Sequence, residues 1–333
     1  MSAPSSGALP EAVRALAEAD FGAVAQRFRD AGFVVGLPAS GILTVKSSTP
    51  DPARASVLVS VGVHGDETGP IEMVAHLVEA LSQSPAALAV DLMLCVGNID
   101  AIRLGKRFVD ADLNRMFRAQ RGSLAGTFEA GRADVLIEAT RAFFDGRGPA
   151  RWHFDLHTAI RPSHYPMFAI VPELIADAAR ERLIAWLGEA GIQAIIMNPE
   201  SAGTYSYFTS EHLGAAGSTV ELGKVGVLGQ NDLSQFAAAS SALGRLLRGE
   251  PAQPAHEAPH VFDTAQSIIK LSDAFSMTVG RETWNFTALK KGDVIASDGE
   301  TVYTVQHDEE LVVFPNPDVR VGLRAGIMVV RTA

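Results

Sequence analysis

The chain has 333 residues, and its 28 lysines and arginines stand against 38 aspartates and glutamates, giving a formal net charge of −10. Apolar residues make up 47% of it, which permits a sizeable core, and the length is typical of about two domains. The acidic balance argues against nucleic acid or anionic membranes as partners. Cys95 is the single cysteine, which excludes an internal disulfide and a cysteine-based zinc cluster, so any metal must be held mainly by His, Asp and Glu.

The first 20 residues lack the basic start and continuous apolar stretch of a secretory signal. No apolar run approaches the ~18 residues of a transmembrane helix. We therefore expect a soluble, cytoplasmic protein with no membrane partner. The sequence leaves open whether the chain forms a homo-oligomer.

Helical and strand-like patterns alternate along most of the chain. Helical spacing predicts a short N-terminal helix over 10–28. The further predicted helices and strands are, in chain order, strand 56–63, a helix from Pro70 to Leu81, strand 90–96, a helix around 135–143, strands 152–156 and 167–171, helix 174–187, and strands 192–197 and 218–222. This alternation predicts an α/β layered fold whose central strands are buried on both faces.

The composition changes at residues 249–259, where three prolines fall among small and polar residues. This stretch is the best linker candidate in the chain. Beyond it, Gly- and Pro-containing turns separate short apolar runs such as 311–314 and 326–330. That pattern predicts a small C-terminal β domain.

His64 and Glu67 follow the first long strand, in the segment VHGDE. Ligands usually bind at the ends of strands in open α/β sheets. Gly65 permits a tight turn that could bring the two side chains together, and imidazole and carboxylate are good zinc ligands. The alternative is a histidine bonded to the backbone and a glutamate favoured by the dipole of the next helix.

The strand around 152–156 places His153, Asp155 and His157 on one face. His157, at its carboxyl end, is the natural third ligand, and Asp155 could orient a ligand. His153 is better explained as a structural histidine. A His/Glu/His set leaves one zinc position open for water, as in catalytic sites. The alternative for the whole strand is a solvated edge with one polar face.

Glu221 lies between Val220 and Leu222 in a predicted strand. A carboxylate there is costly to bury unless it is paired or used. Beside a zinc-bound water it would act as a general base and then as an acid. The alternative is a surface ion pair between Glu221 and Lys224.

Four cationic residues, Arg103, Lys106, Arg107 and Arg115, fall within 13 positions of this acidic chain. Arginine binds carboxylates in a bidentate manner, so the segment suits an anionic substrate. The alternative is a solvated loop in which Asn114 and Arg115 brace a turn.

Five segments together resemble one known family. HGDETGPIEM, GKRFVDADLNRMF, WHFDLHTAIR, TVELGKVGVLGQNDLSQF and FPNPDVRVGLRAG are similar to the succinylglutamate desuccinylases, within the aspartoacylase branch of zinc carboxypeptidase-like hydrolases. The resemblance runs from Leu43 to Val330 in the family's motif order. It implies a carboxypeptidase-like α/β/α sandwich with a mixed central sheet and a C-terminal β domain. We expect an N-terminal extension over 1–42, a catalytic domain over 43–250 and the β domain over 259–333.

The resemblance also implies a role for particular residues. His64, Glu67 and His157 match the ligands of one zinc ion per subunit. Glu221 matches the catalytic general base and acid, and Arg107 an arginine that stabilises the oxyanion. The implied reaction is hydrolysis of N-succinyl-L-glutamate to succinate and glutamate, the closing step of arginine catabolism by the succinyl route.

Asn114 and Arg115 match the pair that binds the α-carboxylate of the amino-acid portion. Asp66 stands where the family more often has Asn, but it is not a matched ligand. Three residues are unranked candidates for contacting the succinyl carboxylate: Arg161, His164 and Lys224. The alternatives are hydrolysis of another N-acyl amino acid such as N-acetylaspartate, a metal-binding protein without catalysis, and a structural α/β protein without metal.

Overall fold

A computed structural model describes residues 9–332 of the chain. The helices are α1 Glu11–Ala17, α2 Gly22–Asp30, α3 Thr68–Gln83, α4 Ile99–Leu104, α5 Phe128–Phe144, α6 Asp177–Glu189, α7 Tyr205–Leu213 and α8 Ala237–Arg248. The strands are β1 Val34–Gly36, β2 Ile42–Lys46, β3 Ser56–Val61, β4 Asp91–Val96, β5 Arg151–Ala159, β6 Met167–Pro172, β7 Ala194–Asn198, β8 Ala216–Lys224, β9 His260–Ile269, β10 Ser276–Met277, β11 Thr287–Lys290, β12 Val294–Asp298, β13 Thr301–Thr304, β14 Glu309–Val313 and β15 Arg324–Arg331.

One mixed sheet of 12 strands organises the described chain, in the order β1-β2-β4-β3-β5-β8-β6-β7-β9-β15-β14-β11. Strands β4, β3, β5 and β8 are parallel neighbours at its centre. Strand β6 then runs antiparallel to β8 and parallel to β7. The carboxyl ends of β3, β5 and β8 therefore meet at one edge of the sheet, where open α/β sheets usually bind ligands.

Alternate residues of the central strands enter two separate cores, which makes the fold three-layered. Val57 and Val59 of β3 pack in a core with α1, α2, α3, α6 and α8. Leu58, between them, packs in a second core with α5 and α7. Both faces of the sheet are thus covered, as expected for parallel strands rich in valine and leucine. The predicted α/β fold with a mixed central sheet is confirmed.

The predicted small C-terminal β domain is also confirmed, and it shares the central sheet. Strand β9 pairs in parallel with β7, and β15, β14 and β11 extend the sheet beyond it. A separate sheet of three short strands, β10-β12-β13, packs beside them. Residues 249–259, the predicted linker, contain no helix or strand.

Two predicted elements are shorter than expected. The N-terminal helix of 10–28 is divided into α1 and α2 because Ala19 adopts a φ of 61° and the Asp20 carboxylate accepts a hydrogen bond from Gly22 N at 2.9 Å. The strand predicted over 56–63 ends at Val61, since Gly62 has a φ of 63°, a conformation that favours glycine. Among residues 9–332, no helix has both the length and the apolar composition to cross a bilayer.

Candidate metal and active site

A cavity of about 520 Å³ opens at the carboxyl ends of β3, β5 and β8. The sheet directly positions two of its side chains, because His157 of β5 and Glu221 of β8 are partners in register. All seven residues singled out as zinc ligands, catalytic groups or substrate contacts line this cavity: His64, Glu67, Arg107, Asn114, Arg115, His157 and Glu221.

The turn between β3 and α3 carries two of these residues and depends on Gly65. A Cβ atom at this position would lie 2.3 Å from Ala101 C and 2.4 Å from Ile102 N, so only glycine permits the close approach of the two backbones. Gly65 N also donates a hydrogen bond to Arg107 O at 3.0 Å. The turn therefore fixes His64 and Glu67 and ties them to the loop that carries Arg107.

His64, Glu67 and His157 are buried and converge on one point, where they could hold a metal ion. The Nδ1 atoms of His64 and His157 each lie 2.8 Å from a different oxygen of Glu67, and 3.2 Å from each other. Thr158 N donates to Glu67 Oε2 at 3.1 Å, and Arg107 Nη1 donates to Glu67 Oε1 at 2.6 Å. These contacts fix the orientation of the carboxylate.

A second pair of carboxylates fixes the tautomers of both histidine rings. His157 Nε2 lies 2.9 Å from Asp155 Oδ2, and His64 Nε2 lies 2.9 Å from Asp112 Oδ1. An ionised carboxylate only accepts hydrogen bonds, so Asp155 and Asp112 hold a hydrogen on each Nε2, and each Nδ1 would become a metal ligand once a cation replaces the proton that it shares with Glu67. Two imidazole nitrogens and one carboxylate thus converge as potential ligands. This donor set fits a divalent cation such as zinc, and the carboxylate–histidine arrangement is typical of metal sites.

The electrostatics of the cluster also favour a positive charge at its centre. Burial alone would lower the pKa of His157, but Asp155 and Glu67 raise it well above its ordinary value. Burial would likewise raise the pKa of Glu67, but His64 and His157 hold it well below its usual range. The carboxylates therefore stabilise a cation between the rings.

His153 belongs to the same strand face but not to this cluster. Its two ring nitrogens lie 2.9 Å from Ser60 Oγ and 2.8 Å from Thr209 Oγ1. Burial lowers its pKa to about 4, so the ring is neutral and satisfied by hydroxyl groups. This agrees with its interpretation as a structural histidine.

Glu221 faces the cavity as an unpaired carboxylate. Its side chain is buried, and Oε2 has no hydrogen-bond partner among residues 9–332. Burial, and then the charge of Glu67, raise its pKa to about 7. Lys224, its alternative surface partner, is exposed and does not line the cavity. A carboxyl group with a pKa near neutrality can both accept and return a proton.

Arg107, Asn114 and Arg115 come from the loop between α4 and α5. The Asn114 amide is oriented by Tyr205 N, which donates to its Oδ1 at 2.8 Å, and Arg115 Nη1 donates to Asn114 O at 2.7 Å. The loop itself is held by a residue that the sequence reasoning missed. Buried Glu129 of α5 accepts hydrogen bonds from Val109 N at 2.6 Å and from the next two backbone amides at 3.1 and 3.0 Å.

Several cationic residues occupy other places than the sequence suggested. Arg103 and Lys106 do not line the cavity, and Arg103 forms a surface ion pair with Asp100. Of the three candidates for the succinyl carboxylate, only Arg161 lines the cavity, whereas His164 and Lys224 are exposed and lie outside it. Three further arginines reach the cavity from the C-terminal part: Arg281, Arg320 and Arg324.

Comparison with known proteins identifies the family. Residues 53–247 match the model of the succinylglutamate desuccinylase/aspartoacylase catalytic domain, and residues 257–332 match that of the AstE/AspA barrel-sandwich hybrid domain. The first match alone covers more than half of the chain. The chain therefore belongs to the succinylglutamate desuccinylase/aspartoacylase family.

Individual relatives agree with this membership. A protein of Burkholderia orbicola named succinylglutamate desuccinylase is 46% identical over 295 residues, which cover 88% of this chain and 86% of the relative. The crystal structure of a succinylglutamate desuccinylase from Chromobacterium violaceum is 34% identical, with a TM-score of 0.77 over 91% of this chain and 92% of that one. The corresponding structure from Vibrio cholerae is 29% identical, with a TM-score of 0.83 over 91% and 88%.

Proposed function

We propose that this protein is a zinc-dependent amidohydrolase that cleaves N-succinyl-L-glutamate to succinate and L-glutamate. The observation that carries the proposal is the buried His64–Glu67–His157 cluster with the unpaired carboxylate of Glu221 beside it. The substrate is inferred from relatives, since proteins 46% identical over 88% of the chain are named succinylglutamate desuccinylases.

In this proposal His64, Glu67 and His157 hold one zinc ion per subunit. When bound, zinc would lower the pKa of a coordinated water and polarise the amide carbonyl. Glu221 accepts a proton from the attacking water, for which its raised pKa is suited. Glu221 then returns the proton to the departing nitrogen of glutamate. Asp155 and Asp112 hold the hydrogens on the outer nitrogens of the two histidines.

Arg107 and the 114–115 pair orient the substrate. The Arg107 guanidinium donates from one nitrogen to Glu67 and lines the cavity, so we assign it the stabilisation of the developing oxyanion. Asn114 and Arg115 bind the α-carboxylate of the glutamate portion. The enzyme would then act in the cytoplasm as the closing step of arginine catabolism by the succinyl route, with residues 1–42, 43–250 and 259–333 as extension, catalytic domain and β domain.

Two measurements test this function. The purified zinc-loaded protein should hydrolyse N-succinylglutamate faster than N-acetylaspartate, and the reverse order would overturn the substrate assignment. Glu221→Gln should retain zinc at the wild-type stoichiometry and lose turnover by at least about 10²-fold, the lower range for general acid–base catalysis. Undiminished turnover by the zinc-loaded variant would refute the role of Glu221.

A further inference from the structure

Among residues 9–332, six arginines line the cavity, and three of them form an ion pair with a carboxylate. Arg107 pairs with Glu67 at 2.6 Å, and Arg281 pairs with Asp318 at 2.8 Å. Arg115 Nη1 lies 4.0 Å from Asp112 Oδ2. Arg320 forms no ion pair within residues 9–332, but its side chain is exposed and donates only to a backbone carbonyl, at 3.4 Å. The remaining two are Arg161 and Arg324, and neither forms an ion pair with a carboxylate of residues 9–332.

Arg161 is a buried cation with no hydrogen-bond or ion-pair partner among residues 9–332. It is only 8% exposed, and its Nε has no hydrogen-bond partner in the described chain. Burial, and then the charges of Arg107 and Arg281, lower its pKa to about 10. Burying an unpaired charge is costly, and a carboxylate ligand would offset that cost.

The position of Arg161 assigns it to the catalytic end of the cavity. It follows β5 by two residues and His157 by four. Among the charges that act on it are both proposed reacting-centre groups, Arg107 and Glu221. A ligand carboxylate at Arg161 would therefore lie near the carbonyl group that is attacked.

Arg324 occupies a different part of the cavity. It lies in β15, is partly buried, and has a weak contact of 3.5 Å from Nη1 to Asn198 Oδ1. Burial, and then the charge of Arg115, lower its pKa to about 10. Arg324 and Arg115, the residue to which we assign the glutamate α-carboxylate, line the same cavity and repel one another electrostatically.

We propose that the two unpaired arginines divide the substrate's remaining carboxylates: Arg161 binds the terminal carboxylate of the acyl group, and Arg324 binds the side-chain carboxylate of the amino-acid portion. This proposal rests on the proposed function. It would let the site distinguish an acyl group that ends in a carboxylate from a neutral one. A site built to bond a charged group rejects analogues that lack it, because its own buried group is then left unpaired.

A comparison of three substrates tests the assignment. N-succinylglutamate carries both carboxylates in question, N-butyrylglutamate lacks that of the acyl group, and N-succinylglutamine lacks that of the side chain. Each is assayed with zinc-loaded wild type and with the variants Arg161→Gln, Arg161→Lys, Arg324→Gln and, as control, Lys224→Gln. Lys224 is exposed and outside the cavity, so its loss removes a positive charge without touching the site.

Arg161→Gln should lower the succinyl-to-butyryl ratio of kcat/KM by about 10- to 100-fold, the range for a hydrogen bond to a charged group. Arg324→Gln should lower the glutamate-to-glutamine ratio and leave the succinyl-to-butyryl ratio unchanged. Arg161→Lys should restore part of the acyl preference, and Lys224→Gln should preserve both ratios. Turnover of N-butyrylglutamate by Arg161→Gln shows that the variant is folded.

Equal losses by Arg161→Gln on the succinyl and butyryl substrates would overturn the assignment of Arg161 while leaving the proposed function intact. An unchanged glutamate-to-glutamine ratio of kcat/KM in Arg324→Gln would overturn the assignment of Arg324 to the side-chain carboxylate. A wild-type enzyme that does not cleave N-succinylglutamate would instead overturn the proposed function itself, and this inference with it.

Discussion

His153 and His157 project from the same face of β5 and are equally inaccessible, with exposures of 0% and 1%, yet their surroundings differ in kind. His153 lies between two hydroxyl groups, which satisfy a neutral ring. His157 lies between the carboxylates of Asp155 and Glu67, which favour a positive charge. Burial therefore does not separate the proposed ligand His157 from the structural His153, whereas the chemistry of their partners does.

The largest expected effect is that of His157→Gln, and the same substitution at His153 is its control. His157→Gln replaces Nε2 with an amide that can still donate to Asp155 but offers no atom in place of Nδ1. We expect bound zinc to be lost and kcat/KM to fall on the order of 10³-fold, since several kcal/mol of charge stabilisation disappear. His153→Gln should keep zinc and turnover, as measured by metal analysis and steady-state kinetics. Equal zinc loss in both variants would abolish the distinction.

Asp155→Asn should have the next largest effect, because it removes the charge behind His157 while leaving an oxygen in place. Loss of such an outer carboxylate costs about 10- to 100-fold in metal affinity or activity. Asp112→Asn is the matched variant behind His64, and its side chain is 22% exposed against 0% for Asp155. Zinc competition titrations should therefore show a smaller loss of zinc affinity for Asp112→Asn than for Asp155→Asn. A larger loss for Asp112→Asn would contradict the expectation that the more buried carboxylate contributes more.

Glu129→Gln should have an intermediate effect through the 107–112 loop. The glutamine amide would face backbone amides that now donate to a carboxylate, so the loop should shift and misplace Arg107. We expect kcat/KM to fall on the order of 10-fold, mainly through kcat, with zinc retained. Glu138→Gln, on the exposed side of the same helix, is the control and should match wild type. A loss of stability with unchanged kcat would mean that Glu129 serves only the fold.

The smallest expected effect concerns stability and pH. The pKa of His153 is about 4 in the folded protein, against about 6.5 for an ordinary histidine. As pH falls, the histidine therefore binds a proton in the unfolded chain before it does so in the folded protein. The contribution of the neutral ring to the free energy of unfolding is thus complete above pH ~6.5 and lost by pH ~4. Wild type should lose about 2 kcal/mol from this group between pH 7.5 and 5, and His153→Gln should not. The measurement is the free energy of unfolding from denaturant titrations at both pH values. An equal decrease between pH 7.5 and 5 in wild type and in His153→Gln would contradict this prediction.

The sequence predicted the central strands and several helices because their apolar patterns are strong, but α4, α7 and α8 were not predicted. Residues 205–210 of α7 are all buried, so this helix has no polar face to produce a helical period, and Ser, Thr and Tyr are weak helix formers. A different limit hid the junction between the α/β domain and the C-terminal β domain. There, β7 pairs with β9, and the paired residues are more than 60 positions apart in the sequence. Tertiary pairing of this kind leaves no local signal.

The site could be predicted where its residues form compact motifs, as in HGDE and HFDLH. The remaining parts of the cavity depend on side chains from distant segments. Arg320 and Arg324 lie in the FPNPDVRVGLRAG motif. The sequence shows their charge but not whether their side chains face the cavity. Conversely, Arg103 lies in the cationic segment of the sequence, but in the fold it forms a surface ion pair with Asp100. Which arginines are unpaired is a property of packing.

The most direct test of the central claim is the rate of N-succinylglutamate hydrolysis after dialysis against a chelator, followed by stepwise return of Zn²⁺. Activity should disappear with the metal and return fully at one equivalent per chain, with His157→Gln failing to recover and His153→Gln recovering like wild type. Full turnover by the metal-free protein would contradict the claim that the His64–Glu67–His157 cluster is the zinc centre of a hydrolase.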